Sequence, residues 1–278
     1  MTGVTLTKPA QWAVPANGAG SAQPSWWTGC VLCEPVWHQT AGVGAGGTVA
    51  LDDEITGAGL AVVDNVSPIE WSYDSGATGV GLALKLASIN SGAECLSSSA
   101  AAFNGNTASG LVVFKLLSGT KTSLMSISTG VRGYGVTINA AGKIELFSSW
   151  TGIVWTGTLN TVPSGEWHIL AWSFDATAGS FRCVLDGVGA NVEGPTSGLA
   201  NYAGTDQQYA DYYLNADSAG GAAEIAFLVR WNVALADADL VLRSNPATDG
   251  GYGPYDMIKE ASVVPAVDQS LSTLGVGA

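Results

Sequence analysis

The pattern of apolar and polar positions is most regular between residues 163 and 187. From Trp167 to Phe174 almost every residue is apolar. Successive side chains of a strand point to opposite faces, so both faces of this strand are apolar. The residues at 175–180 favour a tight turn, and Asp186-Gly187 suits a second turn after the apolar positions of 181–185. The pattern predicts an antiparallel hairpin whose first strand is covered on both faces.

Short strands are also predicted on both sides of this hairpin, from alternation or from short apolar runs. They lie at Leu82–Leu86, Leu111–Leu117, Met125–Ser128, Tyr134–Ile138, Lys143–Phe147 and Ala222–Trp231. We expect Trp167, Ile169 and the strand at 111–117 to lie in the core. Residues 235–244 form the one clear helical segment, with acidic residues in its first turn and Arg243 in its last. Short strands with evenly spaced turns predict a sandwich or a barrel.

The composition restricts the partners of the protein. Charged residues make up 12% of the 278 residues, and 10 basic against 23 acidic residues leave a net charge of −13. A protein that binds nucleic acid or an anionic membrane surface needs a basic face, so we expect neither partner. No segment resembles a signal peptide, and the long uncharged stretches carry prolines and glycines that a membrane-spanning helix would not tolerate. We therefore expect no membrane insertion.

The ends of the chain differ in composition from its middle. Residues 1–24 are small residues punctuated by prolines, which predicts an extended arm, and residues 247–278 have a similar, tail-like composition. Residues 25–246 are predicted to form one domain. The bulky side chains of the arm and the tail are the candidate assembly contacts, namely Trp12, Val14, Tyr252 and Tyr255.

The order of four motifs resembles the laminin-G-like domains of the concanavalin A-like lectin/glucanase superfamily, as found in phage and bacterial proteins. The segment LVVFKLL at 111–117 resembles an early strand of that family, and GEWHILAWSFD at 165–175 resembles its "GxWHHVAxTYD" strand. The segment CVLDG at 183–187 resembles its "xYVDG" turn, and residues 225–240 resemble its closing "IDEVRIYNRALSDAEI" segment. The sequence departs from the family at Ala236, which replaces the usual serine helix cap, and at Ala226, which replaces an acidic residue.

The resemblance implies an all-β, two-sheet antiparallel jelly-roll sandwich, here with one short C-terminal helix and extended terminal arms. It does not imply one function, because this fold serves lectins, glucanases and structural modules. The glucanases of the family carry an E-x-D-x-x-E pattern, which is absent here, and Glu145 and Glu166 stand alone. With only His38 and His168 as histidines and no G-x-S-x-G motif, we expect no enzyme activity.

No cofactor is expected from the cysteines or from the acidic loops. Cys30 and Cys33 form a C-x2-C pair, but no second pair completes a zinc site, and we expect both side chains to be buried without metal. Calcium is compatible with the resemblance, since many relatives bind it through loop carboxylates. No spacing in the sequence resembles a calcium loop, however.

Exposed aromatic residues beside polar ones are the candidate contacts for a glycan or a protein partner. They are Tyr202, Asp206, Gln207, Tyr209, Asp211, Tyr212 and Tyr213. Two functional hypotheses follow. In the first, the chain is a structural virion protein, a head decoration, spike or tail component. It assembles in the host cytoplasm, contacts other virion proteins and copies of itself, and displays a lectin-like domain toward surface glycans. In the second, it is a free-standing carbohydrate-binding module.

Overall fold

The computed structural model describes the backbone of residues 30–35, 49–50, 61–64, 70–72, 83–86, 94–98, 107–117, 122–128, 133–148, 152–199, 211–214 and 223–245. Side chains are described for residues 107–117, 135–147, 153–199 and 223–245. These residues form two antiparallel β-sheets and one short helix. The predicted arm and tail lie outside the described residues, so the domain boundaries stay predictions.

The first sheet has seven strands and carries the predicted hairpin at one edge. The strand order is β13-β12-β7-β15-β5-β4. Strand β1 also pairs with β15, on the same side as β5. The strands are β1 (Cys30–Pro35), β4 (Glu70–Ser72), β5 (Ala83–Leu86), β7 (Thr107–Leu116), β12 (Trp167–Asp175), β13 (Ser180–Leu185) and β15 (Ala223–Trp231).

The second sheet has eight strands in the order β11-β10-β9-β8-β14-β6-β3-β2. They are β2 (Val49–Ala50), β3 (Ala61–Asp64), β6 (Glu94–Ser98), β8 (Thr122–Ser128), β9 (Gly133–Ile138), β10 (Ile144–Ser148), β11 (Gly152–Thr156) and β14 (Asp211–Leu214). Each strand predicted from the sequence matches an observed strand to within a few residues, apart from Leu111–Leu117, which extends four residues further toward its N-terminus as β7.

The hairpin β12–β13 forms as predicted. Its turn is held by Asp175, whose Oδ1 accepts hydrogen bonds from the backbone of Thr177 at 2.8 Å and of Ala178 at 3.0 Å. The second predicted turn is present too, and Asp186 and Gly187 adopt φ angles of +53° and +65°. Such a turn favours glycine at position 187, because a Cβ atom there would lie 2.4 Å from Asn245.

One face of β12 lies against the second sheet. Leu170, Trp172 and Phe174 are fully buried on this face, and they pair across the ladder with the buried residues of β13. Phe181 of β13 contacts Trp155 of β11, with 5.6 Å between ring centroids, so the two sheets pack together here. This face-to-face packing makes the fold an all-β sandwich, as predicted.

The other face of β12 is covered by the helix α1 (Asp237–Ser244), which begins two residues later than predicted. Leu240 of α1 packs on Ala171 of β12 and Val184 of β13. An ion pair joins the same elements, with 2.8 Å between Arg182 Nη2 and Asp237 Oδ2. The helix starts at Ala236 without a side-chain cap, so its apolar contacts must position it. The prediction that β12 is covered on both faces is confirmed.

The prediction that Trp167 lies in the core is wrong. Ile169 and residues 111–114 are buried as expected, but Trp167 is only half-buried. Its ring lies beside the Lys115 ammonium, 5.3 Å from Nζ to the ring centroid. Trp167 is the first residue of its strand and pairs with this lysine, so its neighbour is a charged side chain and not an apolar one. The burial predicted for this strand begins one residue later.

A glycine of β7 lets the largest core side chain fit. Trp172 is 1% exposed, and a Cβ atom placed on Gly110 would lie 2.4 Å from its ring. Gly110 also pairs with Arg230 of β15, which is fully buried. The indole therefore lies directly on the backbone of β7, and no larger residue fits at position 110.

Candidate functional site

Most residues of the predicted contact patch lie outside the described residues. This applies to Tyr202, Asp206, Gln207 and Tyr209, and also to the predicted assembly contacts Trp12, Val14, Tyr252 and Tyr255. The remaining patch residues, Asp211, Tyr212 and Tyr213, belong to β14. All of these assignments stay predictions.

The strand β14 lies in the middle of the eight-stranded sheet, between β8 and β6. Consecutive strand positions belong to opposite faces of a sheet, so positions 212 and 213 cannot serve the same surface. Position 213 pairs with Ser126, and this cross-strand row continues through Gly135 and Phe147 to Ile153 at the sheet edge.

The row belongs to the face of the sheet that points away from the core. On β9 and β10 the core face consists of fully buried Val136, Ile138, Ile144 and Leu146. The intervening residues of these strands lie on the opposite face, which we call the outer face. Ile153 on this face is 43% exposed, and Phe147 is half-buried.

A polar cluster occupies the outer face beside these apolar side chains. The carboxylate of Glu145 accepts hydrogen bonds at Oε1 from Asn139 Nδ2 at 2.8 Å and from Thr156 Oγ1 at 3.4 Å. Thr137 is the cross-strand neighbour of Glu145 on β9. We call these four residues the Glu145 cluster. It combines one carboxylate, one amide and two hydroxyl groups.

The turn between β9 and β10 holds the amide in place. Asn139 Oδ1 accepts hydrogen bonds from the backbone of Ala141 at 2.9 Å and of Lys143 at 3.0 Å. With its oxygen engaged in this way, the side chain directs its Nδ2 toward Glu145. One carboxylate oxygen is therefore oriented by the local turn.

Two oxygen atoms of the cluster, on the buried side chains of Glu145 and Thr137, have no hydrogen-bond partner among the described residues. Glu145 Oε2 receives no hydrogen bond from any residue that the structure describes, and the atom is not fully buried. Thr137 is 2% exposed, and its hydroxyl has no hydrogen-bond partner within the described part of the chain. A buried hydroxyl without a partner costs about 1 to 3 kcal/mol, so a hydrogen bond from a ligand or a water molecule would stabilise it.

Among the described residues, the cluster contains one carboxylate, whose oxygens can accept hydrogen bonds from hydroxyl groups. Hydrolysis needs two carboxyl groups on either side of the bond. The described partners of Glu145 are an amide and a hydroxyl group. A free carboxylate oxygen next to apolar side chains matches the requirements of a sugar, which offers hydroxyl groups on its edges and C–H groups on its faces.

The second acidic centre, at Glu193, joins two loops. The residue is 7% exposed, and its carboxylate accepts hydrogen bonds from the backbone of Thr158, Leu159 and Asn160 at 2.7, 3.0 and 3.0 Å. The Asn160 amide donates a fourth at 2.6 Å. Burial alone would raise the pKa of Glu193, but these donors outweigh it and lower the pKa. All four bonds are internal, so this carboxylate has a structural role.

His168 and Asp186 form a pair at the end of the hairpin. His168 Nδ1 lies 2.8 Å from Asp186 Oδ2, and Asp186 Oδ1 accepts a hydrogen bond from the Ile169 backbone at 2.7 Å. Within the described residues, no hydroxyl or thiol binds the buried Nε2 of the histidine. In the described part of the chain the pair therefore has no nucleophile to activate, and its hydrogen bonds tie the second turn to β12.

A row of charged positions crosses the first sheet. Glu224 of β15 pairs with Lys115 of β7 on one side and with Lys85 of β5 on the other, and Lys85 pairs with Glu70 of β4. The Lys115–Glu224 ion pair spans 2.5 Å, and both side chains are nearly buried. Opposite charges directly across a ladder favour one strand register.

Two further observations concern metals and membranes. No group of three His, Cys, Asp or Glu suited to a metal occurs among the residues that the structure describes. The expectation that the protein has no cofactor stays a prediction. Over the same described ranges, no helix has the length and apolar character needed to cross a bilayer.

Comparison with known proteins gives relatives in fold only. No family model matches the chain, and no curated protein does. Among solved structures, domain 4 of AbnA, an extracellular GH43 arabinanase from Geobacillus stearothermophilus in complex with arabinotriose, is similar, with 16% identity and a TM-score of 0.54. The match covers 76% of this chain and 98% of that domain.

Two other similar structures are longer chains, of which this chain matches only a part. Trypanosoma rangeli sialidase in complex with 2,3-difluorosialic acid matches at 11% identity and a TM-score of 0.56, over 87% of this chain and 36% of the sialidase. The binding domain of botulinum neurotoxin DC in complex with rat synaptotagmin II matches at 10% identity and a TM-score of 0.52, over 78% of this chain and 51% of the other. These likenesses show the β-sandwich fold.

Sequence reasoning missed the Glu145 cluster. The sequence presents Glu145 as a lone acid without a catalytic partner, and no motif includes Asn139. The alternation of residues 144–147 was a usable signal, because it places Glu145 and Phe147 together on the face opposite two core residues.

Proposed function

We propose that this chain is a non-catalytic carbohydrate-binding module. The observation that carries the proposal is the Glu145 cluster on the outer face, where an oriented carboxylate with one free oxygen lies in the same strand as Phe147 and near exposed Ile153. Carbohydrate sites combine such hydrogen-bond acceptors with an apolar platform. The fold supports the proposal, since the similar arabinanase domain was solved in complex with arabinotriose.

We place the centre of the proposed surface at β9–β11 and extend it along the cross-strand row to β14. Gly135 and Ser126 lie between Phe147 and position 213 in this row. Small residues therefore occupy the two positions between the aromatic ones. The predicted contact residue Tyr213 thus belongs to the same proposed surface, on the opposite end of the row.

A glycan array with the purified chain, followed by calorimetry on the best ligand, tests the proposal. Glu145→Ala and Phe147→Ala should each weaken binding by at least about tenfold, because each removes a contact at the centre of the site. Glu166→Ala is the control, since Glu166 is exposed on the turn before β12 and carries the same charge as Glu145. Binding that survives both outer-face substitutions would contradict the proposed site.

For the biological setting, we propose a structural virion protein that displays this module and assembles through its arm and tail. The support is the resemblance to domains found in phage proteins and the low proportion of charged residues, 12%, which suits a chain with extensive contacts. The alternative is a free-standing module.

Light scattering of the full chain and of variants lacking residues 1–24 or 247–278 separates the two settings. The virion proposal expects an oligomer that dissociates when either end is removed. A full chain that is monomeric at high concentration, or an oligomer unaffected by both deletions, would favour the free-standing module.

A further inference from the structure

The hydrogen-bonding groups of the Glu145 cluster define what a ligand must offer. Glu145 Oε2 is a carboxylate oxygen, which accepts hydrogen bonds and donates none. The Thr156 hydroxyl donates to Oε1 and can accept from a ligand. A bound molecule must therefore present hydrogen-bond donors, such as adjacent sugar hydroxyl groups. A carboxylate group on the ligand could not bind Glu145 in this way, because neither carboxylate donates a hydrogen bond.

The cation nearest in sequence to the cluster is already engaged. Lys143 lies two residues before Glu145, and its ammonium group donates to Thr158 O at 3.0 Å, Asn160 O at 3.2 Å and Thr161 Oγ1 at 2.6 Å. An ammonium group has three protons, and each one has an acceptor here. Lys143 cannot turn toward a ligand without breaking these contacts with the loop after β11.

The other lysine and arginine side chains that the structure describes are engaged or buried too. Among the described side chains, Lys115 pairs with a glutamate of β15 and Arg182 with an aspartate of α1. Arg230 is fully buried, and Arg243 is buried over a tryptophan ring. None of the lysine and arginine side chains that the structure describes is therefore free to bind an acidic sugar, and the whole chain carries a net charge of −13.

The buried Thr137 hydroxyl adds a second, independent indication of a ligand. It lies next to Glu145 across the ladder, and no described residue satisfies it. A hydroxyl group that can both donate and accept suits a neutral sugar hydroxyl. The fold alone does not decide the charge of the ligand, since the similar sialidase was solved with an acidic sugar and the arabinanase domain with a neutral one.

We infer that the Glu145 cluster selects uncharged sugars and rejects glycans that carry a carboxylate, such as sialylated or uronic-acid oligosaccharides. This inference rests on the proposed carbohydrate-binding function. The physical reason is charge repulsion at short range, which is weakly screened at a partly buried carboxylate. Glu145 thereby acts as both a hydrogen-bond acceptor and the specificity determinant of the site.

An array that pairs each neutral oligosaccharide with its carboxylated counterpart, for example lactose with 3′-sialyllactose, measures the preference. We expect the neutral member of each bound pair to bind at least about tenfold more tightly. Glu145→Gln keeps the shape of the side chain and removes its charge, so it should reduce the preference to about threefold or less. Glu166→Gln removes the same charge from an exposed turn and should leave the preference unchanged.

Each result has a distinct consequence. Equal or tighter binding of the acidic members by the unmodified chain leaves carbohydrate binding intact and overturns the selection of neutral sugars. If Glu145→Gln and Glu166→Gln reduce the preference equally, the preference comes from the overall charge of the protein. That result overturns the role of Glu145. Binding to no member of any pair overturns the proposed function, and the inference fails with it.

Discussion

Replacing Glu193 by glutamine tests how the edge of the sandwich is held together. The Glu193 carboxylate joins the segment after β13 to the loop after β11, and each of its oxygens accepts two hydrogen bonds. Glutamine has nearly the same shape, but it replaces one accepting oxygen by an NH2 group. Two of the four hydrogen bonds are then lost, because the NH2 group of the glutamine faces N–H groups that are also donors.

The cost follows from which oxygen is replaced. Asn160 is 2% exposed and donates twice to Oε1, so the glutamine oxygen should take this side. The NH2 group then faces the backbone of Thr158 and Leu159, which are exposed enough for water to replace part of the loss. Bonds to a charged acceptor are each worth about 1.5 to 3 kcal/mol, so we expect a net loss of about 2 to 3 kcal/mol.

The same contacts predict how this cost depends on pH. The folded state lowers the pKa of Glu193 below its ordinary value of 4.5, because its hydrogen bonds outweigh the effect of burial. A carboxyl group with a lowered pKa contributes stability that is present above the unfolded pKa and is lost as the pH falls through the folded pKa. The difference between the unmodified chain and Glu193→Gln should be constant near neutral pH and shrink below about pH 4.5.

Urea unfolding followed by tryptophan fluorescence at pH 7 and near pH 3 measures both effects. Glu166→Gln is the matched control, because Glu166 is exposed, and its substitution should change the unfolding free energy by about 0.5 kcal/mol or less. A Glu193→Gln cost no larger than that of the control, or one that does not shrink in acid, would refute the argument.

Three further predictions concern packing and surface charge, and urea unfolding checks each of them. Gly110→Ala should cost at least about 2 kcal/mol, because the new methyl group would overlap the buried ring of Trp172, and an unchanged midpoint would contradict that contact. Trp172→Ala should cost about 3 to 5 kcal/mol, whereas Trp167→Ala at a half-exposed position should cost about 1 to 2, and equal costs would contradict the burial difference. Asp237→Asn breaks an ion pair in which this side chain is 49% exposed, so a loss well above about 1 kcal/mol is not expected.

The hairpin and its neighbouring strands could be predicted from the sequence because their signals are local. Alternating residues, the Asp175 turn and the Asp186-Gly187 turn each act over a few residues, and the structure contains all of them. The helix α1 could be predicted for the same reason, from the charged residues in its first and last turns. Its docking on β12 and β13 follows from an apolar stripe that any helix on a sheet must bury.

Tertiary structure alone decided which polar groups meet. The Glu145 cluster draws on β9, β10, β11 and the turn after β9, and Glu193 reaches a loop more than thirty residues earlier in the chain. Trp167 is a large apolar residue of the kind found in cores, yet strand register places it beside Lys115. Local patterns specify the faces of a strand, but they do not specify its neighbours. Those neighbours are chosen by sheet order and register, which depend on non-local pairing across the whole domain.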